Sequence, residues 1–343
     1  MHRHRFGCVT SQIGAGRGLR RIVGVAAALI ALAVSGESLL AWPSSPPQGK
    51  FFVNETVTAA VSTQYVQKGA SQGIIIYQHD GIDLNNDAFL DERAFRDAIR
   101  RMVPTTYTGP VCLDWEGRAM DYLVGPTTPV LFSRTVAEYV KAAEIFKSMR
   151  PSAKVGFYGL PARPYHVQDE LAVHQRAMAL KPIINKVDHV YPSVYSMYAL
   201  GEQFFLPSEN IEYVRDTVAL ALELADGKPV FAYVWPRYFD GNPNVGLKLI
   251  PATDFQNHVK EVFNVSHNGK RATGLVWWGA DPYWRFLSKQ NYAPTHPLYV
   301  LSQRAKAVFA VEIQPNETDS QHFTKIHKIT LTQLASVIQN APQ

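Results

Sequence analysis

Cysteine is nearly absent from this sequence. The chain has two cysteines in 343 residues, Cys8 and Cys112. Cys8 lies in an N-terminal stretch that we expect to be removed, so the mature chain would keep Cys112 alone and could form no internal disulfide. Stability must then come from a hydrophobic core, and a content of 46% hydrophobic residues is typical of a globular protein.

A strong charge of one sign is also missing from most of the chain. The formal net charge is +5, but the first 41 residues hold five arginines against one glutamate, so about +1 remains for the rest. A stripe of basic residues that could bind nucleic acid is therefore not indicated. We expect no nucleic-acid partner.

The N-terminus has the pattern of an export signal. Arginines precede an apolar run at 22–34, and small residues follow it. This run suits the core of a signal peptide but falls short of the roughly twenty residues that span a membrane. We predict a signal peptide at 1–41, a linker at 42–50, a secreted or periplasmic protein, and no stable membrane insertion after the leader is removed. An uncleaved anchor is the alternative.

Beyond the linker, short apolar runs alternate with amphipathic stretches of helical length. The predicted strands are 51–57, 73–77, 110–116, 154–160, 187–195, 229–235 and 272–279, and the clearest predicted helices are 92–101, 136–149 and 211–224. Apolar strands separated by helices indicate a parallel sheet covered on both faces. Six or seven such units without a linker favour an α/β fold of the (β/α) TIM-like barrel type. We place this catalytic barrel at 51–310 and a C-terminal extension at 311–343.

Two carboxylates lie at the carboxyl end of one predicted strand, where barrel proteins place their functional residues. Asp114 and Glu116 are two residues apart, so they point to one face while Trp115 points to the other. Proximity raises the proton affinity of one carboxylate, which provides a neutral acid and an anion near neutral pH. Glycoside cleavage requires such a pair. An ion pair with a nearby cation and a metal site are the alternatives; we predict no metal and no cofactor.

Four segments, in the same order, resemble those of the hyaluronidases of glycoside hydrolase family 56. Segment 109–116, Gly-Pro-Val-Cys-Leu-Asp-Trp-Glu, resembles the catalytic strand of that family. The other segments are 155–161 (Val-Gly-Phe-Tyr-Gly-Leu-Pro), 190–195 (Val-Tyr-Pro-Ser-Val-Tyr) and 274–278 (Gly-Leu-Val-Trp-Trp). The resemblance implies a distorted barrel of about seven parallel strands.

The resemblance also implies a retaining, substrate-assisted mechanism. The carbonyl oxygen of the N-acetyl group on the sugar would attack the anomeric carbon, while Glu116 protonates the leaving oxygen and later activates water. Asp114 would hold the acetamido nitrogen, Tyr195 would bind the acetamido oxygen, and Trp278 would form a wall of the acetyl pocket. The other residues expected to bind substrate are Tyr77, Tyr158, Ser193 and Tyr233. Ordinary packing of the tyrosines is the alternative.

Several features of that family are missing here. Its disulfide cysteines and Cys-rich C-terminal module have no counterparts, and Arg-Ala-Met at 118–120 replaces the Trp-Arg-Pro that follows the catalytic strand. Where the family carries an arginine for the substrate carboxylate, this chain has about Thr217. Arg237 lies just beyond a predicted strand end, and we expect it to bind such a carboxylate. Arg215 should matter less, because its helix lies outside the barrel.

Segment 83–92 resembles the first part of a calcium-binding EF-hand loop. It lacks the glycine expected at the sixth position, where Ala88 stands, and the glutamate at the twelfth, where Ala94 stands. An acidic surface loop that caps the helix at 92–101 is the interpretation we favour.

The sequence therefore predicts a secreted, endo-acting hydrolase of an N-acetylhexosamine polysaccharide, with hyaluronan or chondroitin as the first candidates. Two alternatives stay open. One is a barrel hydrolase of another N-acetylated glycan, such as chitin or peptidoglycan. The other is a catalytically silent barrel that binds glycans.

Overall fold

Parallel strands form the centre of the fold. The computed structural model describes residues 51–55, 71–199, 201–202, 209–339 and 341, so the predicted signal peptide and linker lie outside the described residues. The parallel strands are β1 (Phe51–Glu55), β2 (Ser71–Gln72), β3 (Ile74–Tyr77), β4 (Pro110–Asp114), β5 (Lys154–Phe157), β6 (Phe231–Val234) and, later in the chain, β9 (Gly274–Gly279). Between the last two lies a small antiparallel pair, β7 (Ser266–His267) and β8 (Lys270–Arg271).

The parallel strands form two sheets and not one closed ladder. One sheet has the order β2-β1-β9-β6 and the other β3-β4-β5. β2 and β3 are separated only by Gly73, so one stretch of chain pairs first with β1 and then with β4. On the opposite side, isolated bridges link the segment 190–193 to both sheets. The fold is a mixed α/β structure with parallel strands in which the barrel is not closed.

Segment 187–195 departs from the predicted pattern, because it forms isolated bridges in place of a regular strand. Pro192 lies in its centre and has no backbone N–H to donate, so a continuous ladder cannot pass through it. The carbonyl oxygen of Pro192 still accepts a hydrogen bond from the backbone N–H of Tyr233 at 2.8 Å. The segment thus occupies the place of a strand between β5 and β6.

Helices follow most of the strands. They are α1 (Glu92–Met102), α2 (Gly117–Val124), α3 (Pro129–Met149), α4 (Glu170–Met178), α5 (Lys181–Lys186), α6 (Glu209–Ala225), α7 (Ala252–Asn264), α8 (Asp281–Ser288), α9 (Tyr299–Glu312) and α10 (Asp319–Gln339). α3 begins earlier than its apolar periodicity predicts, because the Thr128 hydroxyl caps the Leu131 N–H and Pro129 suits the first turn. None of the described helices is long and apolar enough to cross a membrane.

Trp115 fixes the orientation of β4. Its ring stacks on Tyr139 of α3, with centroids 4.6 Å apart and planes 4° from parallel. Its indole N–H donates to a carboxylate oxygen of Asp83 at 3.2 Å, and its carbonyl oxygen accepts from the Tyr139 hydroxyl at 2.5 Å. Because Trp115 is held on the helix side, the neighbouring Asp114 and Glu116 are directed to the opposite face of the strand.

The last two described helices contact the hydrophobic core and the strands. The predicted boundary at 310 falls inside α9, and α10 contributes Leu331, Leu334 and Val337 to the main hydrophobic core. His327 of α10 also packs edge-on against Trp277 of β9, with ring centroids 5.2 Å apart. The described residues of α10 therefore pack against the strands and the hydrophobic core.

Candidate active site

The register of β3 and β4 brings the first cleft residues together. Tyr77 and Asp114 are direct partners in the parallel ladder, at the carboxyl ends of both strands. Burial and the charge of Asp114 raise the pKa of the Tyr77 hydroxyl, and the side chain of Trp278 from β9 opposes this shift. Groups from both sheets therefore act on Tyr77, directly beside Asp114.

Gly117 sets the position of Glu116. It has a φ of +59°, a left-handed conformation that favours glycine, and the chain turns here from β4 into α2. A Cβ atom at this position would lie 2.3 Å from Oδ1 of Asn86, which accepts a hydrogen bond from the backbone N–H of Arg118 at 2.9 Å. The turn therefore holds Glu116 at the strand end and leaves no room for a side chain behind it.

Asp114 is held in a setting that disfavours its charged form. Its side chain is half-buried, and among the described residues its Oδ1 atom has no hydrogen-bond partner. Burial, followed by the negative charges of Glu116 and Asp80, raises the pKa of Asp114 well above its ordinary value. The charged neighbours that shift this pKa are carboxylates, so the structure gives no support to an ion pair with a lysine or arginine.

Glu116 combines accessibility with a raised proton affinity. The side chain is exposed to solvent, yet the surrounding protein atoms displace part of its hydration. This desolvation, and then the negative charge of Asp240, raise the pKa of Glu116 to about 7. A carboxyl group with this pKa is protonated in half of the molecules at neutral pH and can act as a general acid there.

Aromatic side chains from separate segments surround the two carboxylates. Tyr195 stacks on Trp278 with ring centroids 5.8 Å apart, and Tyr158 lies 6.1 Å from Tyr195. The Tyr158 hydroxyl donates to Oγ of Ser193 at 3.0 Å. The charges of Glu116 and Asp114 contribute to raising the pKa of both Tyr158 and Tyr195, after the larger effect of burial. The structure thus brings five of the predicted substrate-contacting residues together around the pair: Tyr77, Tyr158, Ser193, Tyr195 and Trp278.

Tyr233 lies beneath the cleft surface. It is 1% exposed, and burial, followed by the influence of Cys112, raises the pKa of its hydroxyl well above the ordinary value. Its ring meets the ring of Tyr158 edge-on at 5.0 Å. The prediction that Tyr233 binds substrate is therefore corrected: this residue supports Tyr158 from below.

Arg237 does not face the cleft, so the prediction that it binds a substrate carboxylate is wrong. The side chain is fully buried. Its guanidinium donates to Asp281 at the start of α8, to the carbonyl oxygen of Leu247 at 2.7 Å, and to both carboxylate oxygens of Glu312 at 2.9 Å. Arg215 is exposed on α6 and pairs with Glu261 of α7 at 2.8 Å.

Asp240 is a cleft residue that the sequence interpretation missed. It lies in the loop after β6, is half-buried, and acts electrostatically on Glu116. Burial raises the pKa of Asp240 to about 6, although the nearby positive charge of Arg304 opposes this shift. The only signal in the sequence was its position a few residues beyond a predicted strand end, within Phe-Asp-Gly-Asn at 239–242.

The acidic loop between β3 and α1 serves β4 and not the helix that follows. Asp83 accepts hydrogen bonds from the backbone N–H groups of Asp87 and Ala88 at 3.1 and 2.9 Å, as well as from Trp115. Asp91 precedes α1, but its carboxylate accepts from the backbone N–H of Leu84 at 2.6 Å, so the predicted helix cap is not formed. No cluster of three potential metal ligands occurs within the described parts of the chain.

Comparison with known proteins identifies the fold. No protein-family model matches the chain, and no curated protein matches it significantly. Among solved structures, the chain is similar to bee venom hyaluronidase, at 14% identity and a TM-score of 0.55, over 85% of this chain and 100% of the other. It is also similar to bee venom hyaluronidase in complex with a hyaluronic acid tetramer, at 16% identity and a TM-score of 0.51, over 70% of this chain and 97% of the other. At these identities the similarity shows a shared fold.

Proposed function

We propose that this chain is a glycoside hydrolase that cleaves internal bonds of an N-acetylhexosamine polysaccharide by a retaining, substrate-assisted mechanism. The observation that carries the proposal is the pair Asp114 and Glu116, two carboxyl groups with raised pKa values at the end of β4 inside a cleft of tyrosines and a tryptophan. A protein that only binds glycans has no need for such a costly pair. The fold shared with bee venom hyaluronidase supports the same function.

In the first step the bond between the anomeric carbon and the glycosidic oxygen breaks. Glu116 gives its proton to the leaving oxygen, and the carbonyl oxygen of the substrate acetamido group forms a bond to the anomeric carbon. Asp114 accepts the acetamido N–H and stabilises the positive charge that develops. In the second step Glu116 takes a proton from water, whose oxygen bonds to the anomeric carbon while the bond between that carbon and the acetamido oxygen breaks, which restores the acetamido group.

Tyr195 and Trp278 provide the pocket for the acetyl group in this mechanism. Their rings are stacked, so the pocket has a flat apolar wall with a hydroxyl at its edge. The Tyr195 hydroxyl would donate to the acetamido carbonyl oxygen, which aligns that oxygen with the anomeric carbon. Tyr77 and Tyr158 would bind the same sugar from the β3 and β5 sides.

A neutral N-acetylated polymer, such as chitin or the glycan of peptidoglycan, is a second candidate substrate beside hyaluronan and chondroitin. The burial of Arg237 favours it, because that arginine cannot meet the carboxylate of a uronic acid.

The secreted or periplasmic location that we propose rests on the leader at 1–41 and suits both substrate classes.

A product assay on a panel of polysaccharides tests the proposal. Wild-type protein should release oligosaccharides from at least one N-acetylated polymer, and Glu116→Gln should lower the rate by about 100- to 10,000-fold while the fold and glycan binding stay intact. A Glu116→Gln variant with the turnover rate of the wild type would contradict the assignment of Glu116 as the general acid. Binding without any cleavage by the wild type would favour a silent glycan-binding barrel.

A further inference from the structure

The loop between β3 and α1 holds the chain on both sides of Glu116. A carboxylate oxygen of Asp83 accepts a hydrogen bond at 3.2 Å from the indole N–H of Trp115, the residue before Glu116. Three residues further along the loop, Oδ1 of Asn86 accepts one at 2.9 Å from the backbone N–H of Arg118, two residues after Glu116. Glu116 therefore lies between two contacts from one short segment. We call the residues from Asp83 to Asn86 the supporting loop.

Asn86 is held in place by its side chain and by its backbone. Its Oδ1 atom also accepts a hydrogen bond from the side-chain amide of Gln78 at 3.1 Å, and the same Gln78 nitrogen donates to the carbonyl oxygen of Asp83 at 3.3 Å. The backbone of Asn86 has a φ of +53°, a left-handed conformation that asparagine adopts more readily than most residues. Asparagine at this position therefore combines an uncommon backbone angle with an oxygen that accepts two hydrogen bonds.

The amide groups of Asn86 and Gln78 pack directly against the turn that carries Glu116. A Cβ atom at Gly117 would clash with Oδ1 of Asn86 and would lie 3.2 Å from Oε1 of Gln78. Gln78 follows Tyr77 directly in the chain. The same contacts therefore connect the turn after β4 to a residue that we expect to bind the substrate.

Glu116 depends on this support because its own side chain is exposed and lies just beyond the end of β4. A general acid must come within hydrogen-bond distance of the leaving oxygen, and a displacement of about 1 Å can cost about 100-fold in rate. The backbone from Trp115 to Arg118 determines where the carboxyl group is placed. The supporting loop holds that backbone at both ends.

We propose that Asn86 is a positioning residue for Glu116, which keeps the carboxyl group of the general acid in line with the leaving oxygen. This inference rests on the proposed function. Asn86 acts through the backbone of the turn and not on the substrate itself. The proposal also assigns a function to the acidic segment that resembles a calcium-binding loop in sequence, since its side chains bind β4 and the turn that follows.

Steady-state kinetics on the polymer that the wild type cleaves tests the assignment, at pH 6, where Glu116 is mostly protonated. Asn86→Gly removes the acceptor oxygen, and glycine still adopts the left-handed backbone. It should lower kcat by about 10- to 100-fold and leave KM within about twofold of the wild-type value, because the proton donor is misplaced while substrate binding is kept. Asn86→Asp keeps an acceptor oxygen and should restore kcat to within about threefold of the wild type.

A double-mutant cycle separates positioning from a general structural role. If Asn86 acts through Glu116, adding Asn86→Gly to Glu116→Gln should not lower the residual rate further. The matched control is Asn268→Gly, which makes the same change at another asparagine with a left-handed backbone, in the exposed turn between β7 and β8. The control should leave kcat and KM unchanged.

Three results would overturn the positioning role while the proposed function stands: an unchanged kcat in Asn86→Gly, an Asn86→Asp variant that is equally slow, or losses that multiply in the double variant. Should Asn86→Gly fail to fold, Gln78→Met removes the donor to Asn86 and should lower kcat by about threefold or more. An unchanged kcat in Gln78→Met would then overturn the role in the same way. A wild type that cleaves no polymer would overturn the proposed function and this assignment with it.

Discussion

Arg237 and Asp281 form an ion pair from which solvent is excluded on both sides. Burial alone would raise the pKa of Asp281, but the charge of Arg237 outweighs it, with help from His327, and holds the pKa well below its ordinary value. Glu312 adds a second carboxylate to the same guanidinium. Each nitrogen atom of the Arg237 guanidinium thus donates to the protein, so this arginine is a structural residue beneath the cleft.

We expect Arg237→Ala to destabilise the fold strongly. Removing one partner leaves Asp281 buried without its counter-charge, which typically costs about 3–5 kcal/mol. The matched control is Arg215→Ala, which removes an exposed pair with Glu261 and should cost at most about 1 kcal/mol. Denaturant unfolding of the two variants measures both values. Comparable stability of the variants would contradict the role that we give to Arg237.

The pH dependence of activity should report the proton on Glu116. Since its pKa is about 7, kcat/KM should fall as the pH rises through 7, when the proton donor is lost. Asp240→Asn removes a negative charge beside Glu116, so the alkaline limb should move to lower pH, by roughly one unit or less because desolvation is the larger cause. Asp97→Asn on α1, in an exposed pair with Arg100, is the control and should leave the profile in place. An unmoved limb in Asp240→Asn would show that the two carboxyl groups do not interact.

The local sequence pattern was enough to predict which way Asp114 and Glu116 point. The environment of Arg237 depends on contacts with distant parts of the chain. Alternation along a strand was enough to place Asp114 and Glu116 on one face and Trp115 on the other, because side-chain direction on a strand depends only on spacing. The partners of Arg237 could not be found in this way. Glu312 lies 75 residues further along the chain, and no periodicity links the two positions. The sequence therefore predicted that Arg237, which follows a strand end, would bind a substrate carboxylate, whereas its side chain is buried.

Backbone chemistry explains a second difference between the expected and the observed structure. Segment 187–195 has the apolar content of a strand, but Pro192 breaks the ladder while keeping the chain in place.

Asp240 was missed for another reason. The loop after β6 folds back through hydrogen bonds such as the one from the backbone N–H of Phe239 to the carbonyl oxygen of Ser196 at 2.8 Å, and sequence spacing does not encode that path.

We expect Glu116→Gln to stabilise the folded protein at alkaline pH. A carboxyl whose pKa is raised by folding opposes folding once it ionises, so its cost is absent near pH 4 and complete above pH 7. Because the side chain is exposed, we expect a gain of about 1 kcal/mol at pH 8, less than the shift alone would give. Thermal unfolding at both pH values measures the difference. A variant that is no more stable than the wild type at pH 8 would show that the ionised Glu116 carboxylate does not destabilise the folded protein.

A de-acetylated polymer should bind in the cleft but scarcely react. In the proposed mechanism the acetamido oxygen is the nucleophile, so its removal leaves Glu116 with a leaving group to protonate and nothing to attack the anomeric carbon. The free amine is cationic at neutral pH, and Asp240, with a pKa of about 6, is largely ionised there, so attraction should offset the lost contacts in the acetyl pocket. We therefore expect chitosan oligomers to inhibit competitively. Inhibition constants and product analysis, with the fully acetylated oligomers as the control, measure both properties. Efficient cleavage of the de-acetylated chain would instead require a nucleophile supplied by the protein.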